Sequence, residues 1–221
     1  MDLELDLVEA RVLGALVEKQ LTTPDYYPLT LNGLTLACNQ RSNRDPVVAF
    51  EEKAVARALE SLREKQLARV VSGAEMRVPR YYHLAAERLG LSPPEGAVLG
   101  LLLLRGPQTV GELRGRSGRL HAFADLAEVE ATLRGLAGRS DGALVIELPR
   151  QPGRKEPRFA HLLCGQPEIP VEAVEPRVEP AVLAVRAENE RLAQLEEEMD
   201  ELRQALQALR QEFAQFRTQF D

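Results

Sequence analysis

The chain has 221 residues, 44% of them hydrophobic and 5% aromatic, with no Trp, so it holds one large domain or two small ones plus an appendage, around an aliphatic core. Its net charge of −6 is unevenly placed: residues 168–221 hold 13 acids and 6 bases, residues 1–167 hold 21 and 22, which makes the folded part neutral and excludes a strongly basic nucleic-acid-binding domain. No apolar run reaches bilayer length, Cys38 and Cys164 are too few for a disulfide framework and read as buried thiols, and the acidic start MDLELDLVEA lacks the signal-peptide pattern, so a cytoplasmic protein with no membrane partner is expected.

Leu7, Val8, Val12, Leu13, Leu16 and Val17 recur at helical spacing and predict an amphipathic helix from Leu7 to Gln20. TTPDYYP, Thr22 to Pro28, breaks it. A second, short helix is expected from Leu29 to Asn39, then a polar loop, QRSNRDP. A third helix runs from about Glu51 to Gln66 with Val55, Ala58, Leu59 and Leu62 on one face. Leu67 to Ser72 reads as a strand, GAEMR as a turn and Val78 to Leu84 as the returning strand. Three helices followed by a hairpin is the winged-helix order.

The same order follows again. Pro93 and Pro94 open a helix that runs to Arg105. Further helices are predicted at Val110–Ser117 and about Ala124–Ala137, and strands at Ala143–Pro149 and Arg158–Cys164 around the turn QPGRKEP. Val12-Leu13-Gly14 and Leu16-Val17 match Val98-Leu99-Gly100 and Leu102-Leu103 at an offset of 86, and Val55, Leu59 and Leu62 match Val129, Leu133 and Leu136 at an offset of 74.

QPEIPVEAVEPRVEP, residues 166–180, has the proline and glutamate content of an extended linker. Beyond it Leu192, Leu195, Met199, Leu202, Leu206, Leu209, Phe213, Phe216 and Phe220 alternate at spacings of 3 and 4, an a/d heptad. With Leu192 at a, the g-to-e pairs Arg191–Glu196, Glu198–Arg203 and Glu212–Arg217 are all opposite in sign, which suits a parallel, in-register homodimer. The other reading is an amphipathic helix folded back on its own domains. The predicted organisation is α+β and mainly helical: winged-helix domains at 1–90 and 91–165, a linker at 166–180 and a coiled-coil helix at 181–221.

LTLNGLTLACNQRSNRDPV resembles the N-terminal signature of the YceH family of bacterial proteins, and LLLLRGPQTVGELRGRS, AEVEATLRGLA and PGRKEPRF resemble that family's second half. The likeness covers about residues 5–165 and implies a tandem winged-helix fold. It implies no biochemical activity and carries over no functional residue.

No nucleophile with a base, carboxylate pair or metal cage stands out. His83, His121 and His161 fall on different predicted elements, and GRSGR lacks the preceding strand of a phosphate loop. A non-enzymatic protein without cofactor or metal is expected. Nucleic-acid binding is the serious candidate. In the first domain Arg41, Asn43 and Arg44 precede the third helix, Lys53 and Arg57 share a face of it, and Arg77 and Arg80 flank the hairpin. An equally plain reading of that helix is a solvated face of i,i+4 ion pairs with Glu52, Glu60 and Glu64. In the second domain the third helix carries Glu128 and Glu130 against Arg134, a poor groove reader. Its candidates are Arg114, Arg116 and Arg119, then Arg154, Lys155 and Arg158 on the hairpin. Two functions stay open: a dimeric DNA-binding regulator, and a scaffold in which tandem winged helices bind a protein partner. Salt-dependent, specific DNA binding separates them.

Overall fold

The structure is a computed structural model that describes residues 3–72, 78–150, 153 and 156–167. The predicted coil, with its heptad from Leu192 to Phe220, lies outside the described residues. Those described form an α+β fold of seven α-helices and two small antiparallel sheets. None of these helices is long and apolar enough to cross a membrane.

Helix α1, Leu7–Thr22, opens on a capping box: the Asp6 carboxylate accepts from the Val8 and Glu9 N–H groups, and Glu9 Oε2 accepts from the Asp6 N–H at 2.7 Å. The sequence predicts one apolar face, yet every residue from Glu9 to Glu18 is buried. The reason is that α1 is central. Helices α2 (Leu31–Cys38) and α3 (Glu52–Glu64) pack on it, and so does α5 (Pro93–Arg105). Its three buried charges are compensated from outside the helix. Lys65 Nζ reaches Glu9 at 2.6 Å, Arg11 donates to the Cys38 and Pro46 carbonyls at 3.2 and 2.7 Å, and Glu18 meets Arg44.

The α1–α5 crossing explains the repeat at offset 86. A Cβ built on Gly14 would stand 2.9 Å from Leu103 Cβ, and one built on Gly100 would stand 3.0 Å from Val17 Cγ1. Gly14 and Gly100 are equivalent in the repeat, as are Val17 and Leu103, so the contact is reciprocal. Each glycine lets the other helix approach where a side chain would hold it off.

Both halves then use the same local device. Pro28-Leu29-Thr30 and Pro107-Gln108-Thr109 each place a threonine at a helix N-cap. Thr30 Oγ1 accepts from the Gly33 N–H at 3.1 Å at the start of α2, and Thr109 Oγ1 accepts from the Glu112 N–H at 3.2 Å at the start of α6 (Val110–Ser117). The residue before each threonine is extended. Leu29–Thr30 is strand β1, so the helix expected from Leu29 begins two residues later. β1 pairs with β3 (Arg80–His83), which pairs with β2 (Ala68–Val71). In the second half Gln108 exchanges backbone hydrogen bonds with Phe159 at 3.0 and 2.8 Å, alongside the hairpin of β4 (Val145–Glu147) and β5 (Phe159–His161). Leu34 and Leu113, one turn into α2 and α6, are fully buried.

A short helix α4, Ala85–Leu89, follows β3 and was not expected from the sequence. It ends at Gly90, whose φ of 58° favours glycine. Ser92 and Glu95 then cap α5, and Asp125 caps α7 (Leu126–Ala137). One aliphatic cluster runs through both halves, from Leu16, Leu34 and Leu59 to Leu102, Leu133 and Val145. Cys38 belongs to it, whereas Cys164 is half-buried.

Candidate nucleic-acid interface

The loop between α2 and α3 is folded inward. Asn39 Nδ2 donates to the Phe50 carbonyl and the Phe50 N–H donates to Asn39 Oδ1, both at 2.8 Å, which closes its base. The Asp45 N–H donates to the Leu104 carbonyl at 3.0 Å, tying the loop to the end of α5. Asn43 sits at a φ of 58°, a left-handed conformation that asparagine tolerates, and its Nδ2 donates to Glu18 Oε1 at 3.1 Å. That turn directs Arg44 into the protein.

Arg44 is the clearest correction to the sequence reading. Its side chain is 0% exposed and meets Glu18 Oε2 at 2.6 Å and Oε1 at 3.0 Å. It also donates to the Ala37 carbonyl at 2.8 Å, supplying a partner to the last turn of α2. Burial raises the Glu18 pKa, but the hydrogen bonds and charge of Arg44, with Lys19 and Asn43 beside it, hold the carboxyl below its ordinary value. Arg44 is therefore a buried structural ion pair and presents nothing to a nucleic acid.

Arg80 and Arg158 are half-buried and committed to groups of the chain itself, in matching ways. Arg80 Nη1 donates to the Pro28 carbonyl at 3.0 Å, and Arg158 Nη1 donates to the Pro107 carbonyl at 2.6 Å. Each guanidinium thus pins the proline two residues before the capping threonine in its own half. Arg158 also pairs with Glu112 at 3.2 Å, where Arg116 arrives at 3.4 Å while donating to Gln108 Oε1 at 2.8 Å. Burial raises the Glu112 pKa, but the Thr109 N–H and the two guanidinium groups outweigh it and lower it. Arg116 and Arg158 thus share one carboxylate, and both are held where they sit.

The other candidates point outward. Arg41 is exposed in the loop, and Lys53 and Arg57 are exposed one turn apart on the N-terminal half of α3. The opposite face of that helix buries Val55, Ala58, Leu59 and Leu62. Its C-terminal half is mixed, with Arg63 paired to Glu60 at 2.7 Å. In the second half Arg119 is exposed, and Arg114 is exposed with Nη2 on the Ala124 carbonyl at 2.9 Å. Arg77, Arg154 and Lys155 lie outside the described residues.

The structure adds a basic surface that the sequence reading missed. Arg63, Arg69 and Arg88 line an open depression of about 690 Å³ with Tyr82 and Glu87. Arg69 and Tyr82 are cross-strand partners on β2 and β3. The signal available was alternation along ARVV and RYYH, which puts Arg69 on the outer face once the register is known.

Residues 5–154 match the family model described as "Protein of unknown function, DUF480". The UPF0502 protein GSU0233 of Geobacter sulfurreducens is 57% identical over 221 residues, covering 100% of both chains. The UPF0502 protein of Geotalea uraniireducens is 56% identical over the same span, again 100% of both. That of Opitutus terrae is 57% identical over 176 residues, 80% of this chain and 76% of that one.

Proposed function

The chain belongs to the DUF480 family of proteins of unknown function, and from that premise we propose that it is a non-enzymatic, dimeric DNA-binding protein of winged-helix type, a transcriptional regulator that contacts duplex DNA through its first half. The observation that carries this reading is the outward pair Lys53 and Arg57 on the N-terminal half of α3, beside the exposed Glu51 and Glu52. In helix-turn-helix docking, the residues at that end of the recognition helix meet the base edges. Lys53 and Arg57 stand there with Arg41 in the loop before them, while the apolar face of α3 is taken up by the core. The element order of each half, with a hairpin after the third helix, supports the winged-helix assignment.

The folded part is close to neutral, so a single copy makes few phosphate contacts. The heptad from Leu192 to Phe220 supports a parallel coiled-coil homodimer. Tethering two copies turns the second contact into an intramolecular event and raises the overall affinity without new contacts. Repeated rounds of selection from a random pool of duplex DNA test this reading. Enrichment of a two-part site is expected, and a pool that stays random would contradict it.

A second reading is favoured by a specific observation. Arg44, Arg80, Arg116 and Arg158 are all held by groups of the chain itself, which leaves a sparse basic surface for DNA. A scaffold that binds a protein partner through its winged helices needs no such surface. Failure to bind duplex DNA at low salt would favour it.

A further inference from the structure

A second concavity lies where the two halves meet, apart from the basic face of α3. It has a volume of about 270 Å³ and is lined by Val17 and Leu21 of α1, Ala86 of α4, and Leu91, Pro93 and Gly96 at the entry to α5, together with His83. That is just below the ~300–1,000 Å³ typical of ligand pockets, and the lining has their character, mostly apolar with few polar groups.

His83 gives the pocket its chemistry. The residue is 6% exposed, and its Nδ1 accepts from the Ala85 N–H at 3.2 Å. Nδ1 therefore carries no proton, and in the neutral ring the proton resides on Nε2. Nε2 has no hydrogen-bond partner among the described residues and is closed to water, so an acceptor in the pocket reaches it only by a small shift of the wall. Tyr27 lies beside the ring: its Oη accepts from the His83 backbone N–H at 2.7 Å, and the two ring centroids are 6.2 Å apart. Burial pushes the imidazole pKa down to about 4, so the ring stays neutral at ordinary pH. The remaining polar lining residues are less suited. Gln20 is exposed, and the Ser92 hydroxyl donates to Glu95 Oε2 at 2.7 Å.

A buried donor without an acceptor costs free energy until one arrives. We propose that this pocket binds a small neutral molecule with an apolar body and one hydrogen-bond acceptor, a ketone or ester oxygen, that meets His83 Nε2–H. A charged ligand is disfavoured because no cation or anion is among the lining residues. Gly96 leaves the space open: a Cβ built there meets no heavy atom within 4 Å.

The test titrates the ¹⁵N-labelled full chain with acetophenone and with cumene, which share a shape but differ in the acceptor, and follows the amide resonances of Leu21, Ala86 and Gly96. Saturable shifts are expected with acetophenone, and weaker binding by roughly 2–10-fold with cumene, the worth of one neutral hydrogen bond. His83→Phe should remove that difference. Gly96→Leu should abolish binding of both probes while the melting temperature holds or rises. If Gly96→Leu fails to fold, Ala86→Met fills the pocket from α4. Absence of saturable shifts with acetophenone in the wild type would overturn the proposal. So would a preference for acetophenone that survives His83→Phe, or binding that survives both filling variants.

Discussion

Arg44 and Glu18 meet at 2.6 Å with side chains 0% and 6% exposed, a buried ion pair between the loop after α2 and the central helix. Removing Arg44 takes away the close, buried partner and leaves Glu18 with Lys19 at 3.3 Å as its counter-ion. Arg44→Ala is expected to cost about 3–5 kcal/mol. Arg44→Met with Glu18→Leu, which removes both charges and keeps the volume, should recover much of that loss. Urea denaturation measures both. A single variant within about 1 kcal/mol of the wild type would contradict the structural role given to Arg44.

The glycine crossing predicts unequal effects at two equivalent positions. Gly14→Ala drives a Cβ to 2.9 Å from Leu103 Cβ, an atom fixed to the α5 backbone, so α1 and α5 must separate. The expected loss is about 1–3 kcal/mol. Gly100→Ala meets a Val17 methyl at 3.0 Å and gains helix propensity, so its net change should stay within about 1 kcal/mol. Thermal melts of the two variants check the order. Equal stability in both would mean that the helices do not approach as described.

Acid should weaken the fold in two windows. Burial pushes the His83 and His161 pKa values down to about 4 from an ordinary 6.5. As pH falls through that interval the unfolded chain takes up protons that the folded chain does not, so stability is lost from 6.5 down to about 4. Glu18 acts lower. Its folded pKa lies below the ordinary 4.5, so its contribution is complete above 4.5 and is lost as pH falls through the depressed value. Melting temperature against pH should show the first decline, and His83→Phe should reduce it while His161 keeps its share. A wild-type melting temperature that does not change between about pH 7 and about pH 5 would count against the buried, neutral imidazoles.

The tail prediction rests on sequence periodicity. Deleting residues 181–221 should convert a dimer to a monomer in sedimentation velocity. A full-length protein that sediments as a monomer at micromolar concentration would exclude the coiled-coil dimer.

The order of the main elements was legible because its signals are local: apolar periodicity in α1, α3, α5 and α7, and the prolines that open α5. The roles of the arginines were not. Arg44 stands in a polar loop like Arg41, and only the left-handed turn at Asn43, with Glu18 waiting 26 residues back in sequence, sends one inward and leaves the other outside. The partners of Arg80 and Arg158 are backbone carbonyls about 50 residues earlier, which no spacing rule reaches. One signal was overlooked. Pro28-x-Thr30-x-x-x-Leu34 recurs as Pro107-x-Thr109-x-x-x-Leu113, and that repeat marks the capped helix start, the edge residue and the buried leucine in both halves. The full burial of α1 was hidden because Glu9, Arg11 and Glu18 look like surface residues until their distant partners are known.

The most direct test of the DNA-binding account is an anisotropy titration of labelled duplex DNA across a salt series. It compares the full-length protein with Lys53→Ala/Arg57→Ala and with Arg158→Ala. The account predicts that the wild type binds at low salt and that binding falls as salt rises. Losing the two α3 contacts should reduce the slope of log K against log salt by about 0.9 for each phosphate contact, or cost about 1–3 kcal/mol for a base contact. Arg158→Ala should leave the slope unchanged, because that guanidinium is already held by Pro107 and Glu112. No binding at low salt, or binding that is indifferent to Lys53 and Arg57, would contradict it.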